Sequence, residues 1–212
     1  MSGLYPYVEA AVMAACFAVI LFPVAALARQ RGIGPAMGWA AVGVGWFLLV
    51  WELARSGAFE GTRASGRVAE AVAILAPLLA GSLLLLRGRF TLVAPPDLVA
   101  FQACRVVAVV VLVAYAGEAL PAWLALPIGV GDLGVGITAP WVTRWARSGA
   151  SGLAAVRLWN VIGAAIACFT MAAPLASAHA TGYFFSLYPL VLLPTFLAPA
   201  WLLLHLAGHR AQ

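Results

Sequence analysis

Asp132 is the residue around which the chain's chemistry collects. It lies near the middle of residues 120–145 (LPAWLALPIGVGDLGVGITAPWVTRW), an apolar stretch in which Gly129, Gly131, Gly134 and Gly136 surround it. A carboxylate at such depth costs about 2.5–3.5 kcal/mol on insertion scales, so its retention points to a partner or a ligand. Arg105 is the candidate partner. It falls about eight residues inside its own apolar run, roughly 10–12 Å deep from one side, while Asp132 is roughly 16–18 Å deep from the other. An arginine side chain is long enough to close that offset, and burying the two together is far cheaper than burying either alone. Two readings of the pair stand side by side: a static ion pair that fixes helix register, and a gated or ligand-exchanging pair.

Other polar residues group around these two. Gln102 precedes Arg105 by one turn, and Asn160 shares a helix face with Gly163, Ala164 and Ala167. His205 sits near the end of the last apolar run, where a histidine ordinarily caps a helix or meets solvent. At 100° per residue Gly129, Asp132 and Gly136 fall on one stripe. Glycines there let a neighbouring backbone or a ligand approach the carboxylate. Close packing is one use; a broken helix exposing carbonyls beside Asp132, as a cation or proton site, is the other. The expected binding set is therefore Asp132, Arg105, Asn160, Gln102, Gly129, Gly131 and His205. At the opposite side Glu9, Glu52, Glu70 and Glu118, with His179, mark either wet helix ends or an acidic cluster that concentrates cations above Asp132.

Several chemistries fail on residue type or spacing. All twelve basic residues are arginine, so no lysine is present for a retinal Schiff base. Cys16, Cys104 and Cys168 each stand alone in apolar runs, without a CxxC or Cys/His spacing. His179 and His205 fall at opposite faces, and His205 and His209, at i and i+4, lack the glutamate and third ligand of a zinc hydrolase. Gly149-Ala150-Ser151-Gly152 resembles the GxSG of rhomboid-type intramembrane proteases, yet it lies in an arginine-rich loop with no histidine paired to it. No phosphate-binding or dinucleotide fingerprint occurs. No catalytic residue, metal or cofactor is expected, and arginines interspersed between apolar runs do not form a nucleic-acid stripe.

The elements that must position these groups follow from composition. Of 212 residues, 65% are hydrophobic and 9% charged, against about 25% charged in soluble domains. Apolar runs at 8–28, 36–54, 68–86, 95–117, 120–142, 156–178 and 187–207 are each long enough to cross roughly 30 Å of hydrocarbon as a helix. They predict an all-α integral membrane protein, a seven-transmembrane helix bundle forming a single polytopic domain over residues 1–212. Pro127 and the four glycines make the fifth run the weakest helix, so six spans plus a re-entrant segment is the alternative. Ala26-Leu27-Ala28 resembles a signal-peptidase site, but Glu9 and the missing positive n-region favour a retained first helix. Prolines 189, 194 and 199 predict a kinked last helix.

Arginine flanks orient the bundle. Arg29, Arg31, Arg87, Arg89, Arg144, Arg147, Arg157 and Arg210 fall on one side, Arg55, Arg63 and Arg67 on the other. The excess predicts N-out/C-in in a bacterial-type inner (cytoplasmic) membrane. The first three and last three runs share proline, arginine and Trp-x-x-x-Gly placements (Trp39/Gly43, Trp159/Gly163), the pattern of a 3+1+3 parallel repeat. Three functions remain open: a proton- or cation-coupled small-molecule transporter, a non-catalytic accessory membrane subunit, and a membrane-embedded lipid-modifying enzyme. Membrane lipid and a small-molecule or ion ligand are the expected partners.

Overall fold

Without water to satisfy backbone groups, an apolar run inside hydrocarbon closes its hydrogen bonds within itself and becomes a helix. The computed structural model describes residues 5–60, 64–87, 93–148, 152–176 and 183–210, and among them it contains helices and no strand. The helices are α1 (Tyr5–Arg31), α2 (Ile33–Arg55), α3 (Ala64–Leu86), α4 (Pro95–Ala116), α5 (Ala122–Arg147), α6 (Leu153–Ala176) and α7. The last is a π-helical turn at Leu193–Leu197 running into α-helix at Ala198–Arg210. By length and composition α1 to α6 can each cross a membrane, while α7 offers the shorter apolar stretch Leu193–Gly208. The molecule is a helical membrane bundle.

Its irregularities follow the sequence at the proline-rich last helix and depart from it elsewhere. The fifth run is one continuous helix through Pro127 and Pro140, as the seven-run reading has it, and the alternative of a broken helix beside Asp132 is not realised. An unanticipated irregularity falls in α4, whose centre Gln102–Ala108 is 3-10 helix, and the proline-rich start of α7 is irregular as expected. There a 3-10 turn at Tyr183–Ser186 and turns at residues 188–191 precede the π segment, and Thr195 Oγ1 donates back to the Val191 carbonyl at 2.5 Å. The gap between the first two apolar runs, residues 29–35, shrinks to Gly32 alone. Its φ of 88° and ψ of 177° belong to a region open essentially to glycine only.

Contacts at helix ends define a common face. Gln30 at the end of α1 donates to Asp97 at the start of α4 (2.9 Å), and Ala94 N donates back to Gln30 Oε1 (3.2 Å). Arg147 at the end of α5 stands 4.0 Å from the same Asp97. One apolar core joins the helices, with Val12 and Cys16 from α1, Phe47 from α2, Ile74 from α3, Val111 from α4, Leu124 from α5, Ala167 from α6 and Trp201 from α7. Leu21, Leu79, Val130 and Leu158 point outward, as lipid-facing side chains do.

Candidate functional site

The 3-10 geometry of α4 decides where its polar residues point. With three residues per turn, Gln102 and Arg105 stack on one edge instead of diverging by 60° as in an α-helix. That edge meets α5, α6 and α7. Glycines let the backbones close: a Cβ at Gly136 would sit 2.6 Å from Val106 N, and one at Gly129 would overlap the Leu112 side chain. Gly131 instead faces Ile166 of α6. Gly129 and Gly131, expected to border a ligand, are filled by helix contacts.

Arg105 is fully buried and Asp132 is 1% exposed. The guanidinium donates from Nε to Asp132 Oδ1 at 2.8 Å, and Nη2 meets the same oxygen in the ion pair. Nη1 donates to the Gly163 carbonyl at 3.1 Å and to His205 Nε2 at 2.8 Å. A guanidinium has no acceptor, so Nε2 must supply a lone pair and the ring proton sits on Nδ1. Nδ1 then donates to Asn160 Oδ1 at 2.9 Å. Thr170 Oγ1 donates to Asp132 Oδ2 at 3.2 Å. The Trp201 ring covers the guanidinium face, 5.0 Å from Cζ, a cation–π contact in a desolvated setting. Gln102 Nε2 donates to the Trp201 carbonyl at 3.2 Å.

These groups form a column along α6. From Asn160 to Thr170 the helix rises roughly 15 Å, so the network reaches from the arginine-rich end to about mid-membrane. Two amide atoms at its lower end, Gln102 Oε1 and Asn160 Nδ2, are buried without a hydrogen-bond partner. Buried polar atoms are ordinarily paired. Gly208 leaves the Asn160 amide room, since a Cβ there would lie 3.5 Å from Nδ2.

The structure thus brings together Asp132, Arg105, His205, Asn160 and Gln102. His205 is 1% exposed, not the solvated or capping group its place near a helix end suggests. Thr170, Trp201 and the Gly163 carbonyl are members that sequence reasoning missed. Thr170 was findable: Asn160, Gly163, Ala167 and Thr170 follow an i, i+3, i+7, i+10 stripe. The acidic residues do not form one hydrogen-bonded group among the described residues. Glu9 accepts from Tyr188 Oη at 2.6 Å, and Trp51 Nε1 donates to the same hydroxyl at 3.3 Å. Glu70 is 3% exposed with Oε1 unpaired, while Glu52 and Glu118 are exposed. His179 and residues 149–151 of the GxSG string lie outside the described residues, as does the His209 side chain.

No curated protein and no solved structure matches this chain. Residues 68–209, which run from α3 into α7 and hold every member of the column, match the family described as "Domain of unknown function (DUF8737)", and the chain belongs to that family.

Proposed function

We propose that this chain is a small membrane carrier coupled to a proton or cation, with Asp132 as the coupling group. The observation that supports this reading is the chain of three ionisable side chains, Asp132, Arg105 and His205, contributed by α5, α4 and α7 and hydrogen-bonded in sequence. Fixing helix register needs only two of them, and carboxylates and histidines inside a membrane are the proton-holding groups of pumps and transporters. Arg105 between them stays protonated, so Asp132 and His205 serve as two separate proton-accepting positions and not as one wire. A proton on Asp132 weakens its hold on Arg105 and leaves the guanidinium's charge uncompensated. The proton is therefore best accommodated together with a cargo that carries acceptor oxygens or negative charge. Asn160 Nδ2, unpaired at the arginine-rich end, offers a donor to such oxygens, and Gln102 Oε1, also unpaired, accepts from a donor group on the same cargo. The proposal carries the N-out/C-in orientation in a cytoplasmic membrane and the 3+1+3 layout with it.

A second reading, an accessory subunit whose polar residues only lock four helices, draws on the saturation of the pair. Both Asp132 oxygens accept, and every guanidinium nitrogen is engaged. Proton uptake by proteoliposomes under an imposed potential separates the two. The carrier reading expects flux in the wild type, about a tenfold or greater loss in Asp132→Asn, and a shifted pH profile in Thr170→Val with its fold intact. Absence of flux in folded wild-type protein, or Thr170→Val and Asp132→Asn that lose only thermal stability, would leave the accessory role.

A further inference from the structure

A second feature is independent of the polar column. Between α2 and α3, floored by α1 and α7, lies a crevice of about 380 Å³. Its walls are apolar: Ile20 and Leu27 from α1, Gly43 from α2, Ala80 from α3 and Leu203 from α7 are typical. On α1, α3 and α7 the lining residues span about eight positions, so the crevice is roughly 12 Å tall along the helices. That height along the helices and the apolar walls suit a hydrocarbon chain lying parallel to them.

The slot stands at the arginine-rich end. On α1 its lowest lining residue is Leu27, followed within a turn by Arg29 and Arg31; on α3 it is Leu84, followed by Arg87. All three arginines are exposed, and none forms an ion pair among the described residues. Among the described residues the one carboxylate at this mouth, Asp97, is already held by Gln30 and Arg147. Free guanidiniums within a turn of an apolar slot match a phosphate joined to a hydrocarbon tail, because guanidinium donors fit phosphate oxygens in pairs. Basic pockets between membrane helices bind anionic headgroups for the same reason.

We infer that the crevice between α2 and α3 holds one acyl chain of an anionic phospholipid from the leaflet at the arginine-rich end, its phosphate on Arg29, Arg31 and Arg87. The occupant is a resident lipid, distinct from whatever meets Gln102 and Asn160.

The test titrates delipidated full-length protein with phosphatidylglycerol and with phosphatidylcholine of identical chains, counting bound lipid by native mass spectrometry. Wild-type protein is expected to take one phosphatidylglycerol with about a tenfold or greater preference over phosphatidylcholine. The Arg29→Gln/Arg31→Gln/Arg87→Gln variant, changed only at exposed positions, should lose that preference while still binding both lipids weakly. Ala80→Phe and Gly43→Leu, which fill the slot from opposite walls, should lose both. Equal binding of the two lipids by wild type overturns the inference, as does wild-type binding in a folded slot-filling variant. So does a dimer that lipid does not displace, which would make a second copy the occupant. If both filling variants fail to fold, the charge variant decides, by keeping or losing the preference. Lipid occupancy is read without any flux, so its failure leaves the carrier reading standing, and the reverse.

Discussion

Arg105 ties its own helix to three others. It belongs to α4, pairs with Asp132 of α5, donates to Gly163 of α6 and to His205 of α7, and lies against Trp201. Removing one partner of such a buried pair strands the other charge, which costs about 3–5 kcal/mol, whereas apolar replacement of both is often close to neutral. Arg105→Met is therefore expected to lower the detergent melting temperature sharply, and Arg105→Met/Asp132→Leu to recover most of the loss. A double variant as unstable as the single one would show that His205 and Asn160, not Asp132, dominate the site. The pair was legible in the sequence from residue type and depth alone, because few polar groups share that layer. The imidazole's part was not. His205 lies near a helix end, and only the turns before α7, with the π segment, place that end well inside the bundle.

Among the elements, α4 and α5 share the most extensive contact, and the glycines of α5 are not equivalent. A Cβ at Gly136 would press on the α4 backbone, while one at Gly134 would meet nothing within 4 Å. Gly136→Ala should cost about 1–3 kcal/mol through overpacking and disturb the neighbouring ion pair. Gly134→Ala should be neutral or stabilising by about 0.5–1 kcal/mol, since it removes glycine's backbone entropy from a helix interior. Thermal unfolding of the two variants side by side checks the contrast. The stripe through Gly129, Asp132 and Gly136 is written in the sequence at helical spacing, but what fills the space beside it is not. Nor is the 3-10 segment, since QACRVVA contains neither proline nor glycine. Its narrower helix suits the close approach to α5, a tertiary cause that leaves no local signature.

For the whole molecule, the arginine asymmetry predicts which end faces the cytoplasm. Exposed Arg29, Arg31, Arg87, Arg144 and Arg147 gather at one end, with Glu9, Glu52, Glu60 and Glu118 at the other. In a background with Cys16, Cys104 and Cys168 replaced by alanine, Ser56→Cys should react with an impermeant maleimide on intact cells. Ser148→Cys should react only after permeabilisation, and the reverse pattern would invert the bundle. Apolar length located the six long helices in the sequence, since each carries enough hydropathy to be seen alone. The seventh run, read as a full span over 187–207, is a shorter helix behind turns, because prolines 189, 194 and 199 interrupt its start and packing, not composition, buries those turns.

One joint sets how the bundle can move. Gly32 is the sole residue between α1 and α2, in a backbone state that a side chain would forbid. So short a link carries no slack for one helix to slide past the other. The two form a rigid hairpin whose α2 leans over the lipid slot, and any widening of that slot must swing both arms together, with the glycine as pivot and Gln30's hold on Asp97 as the catch.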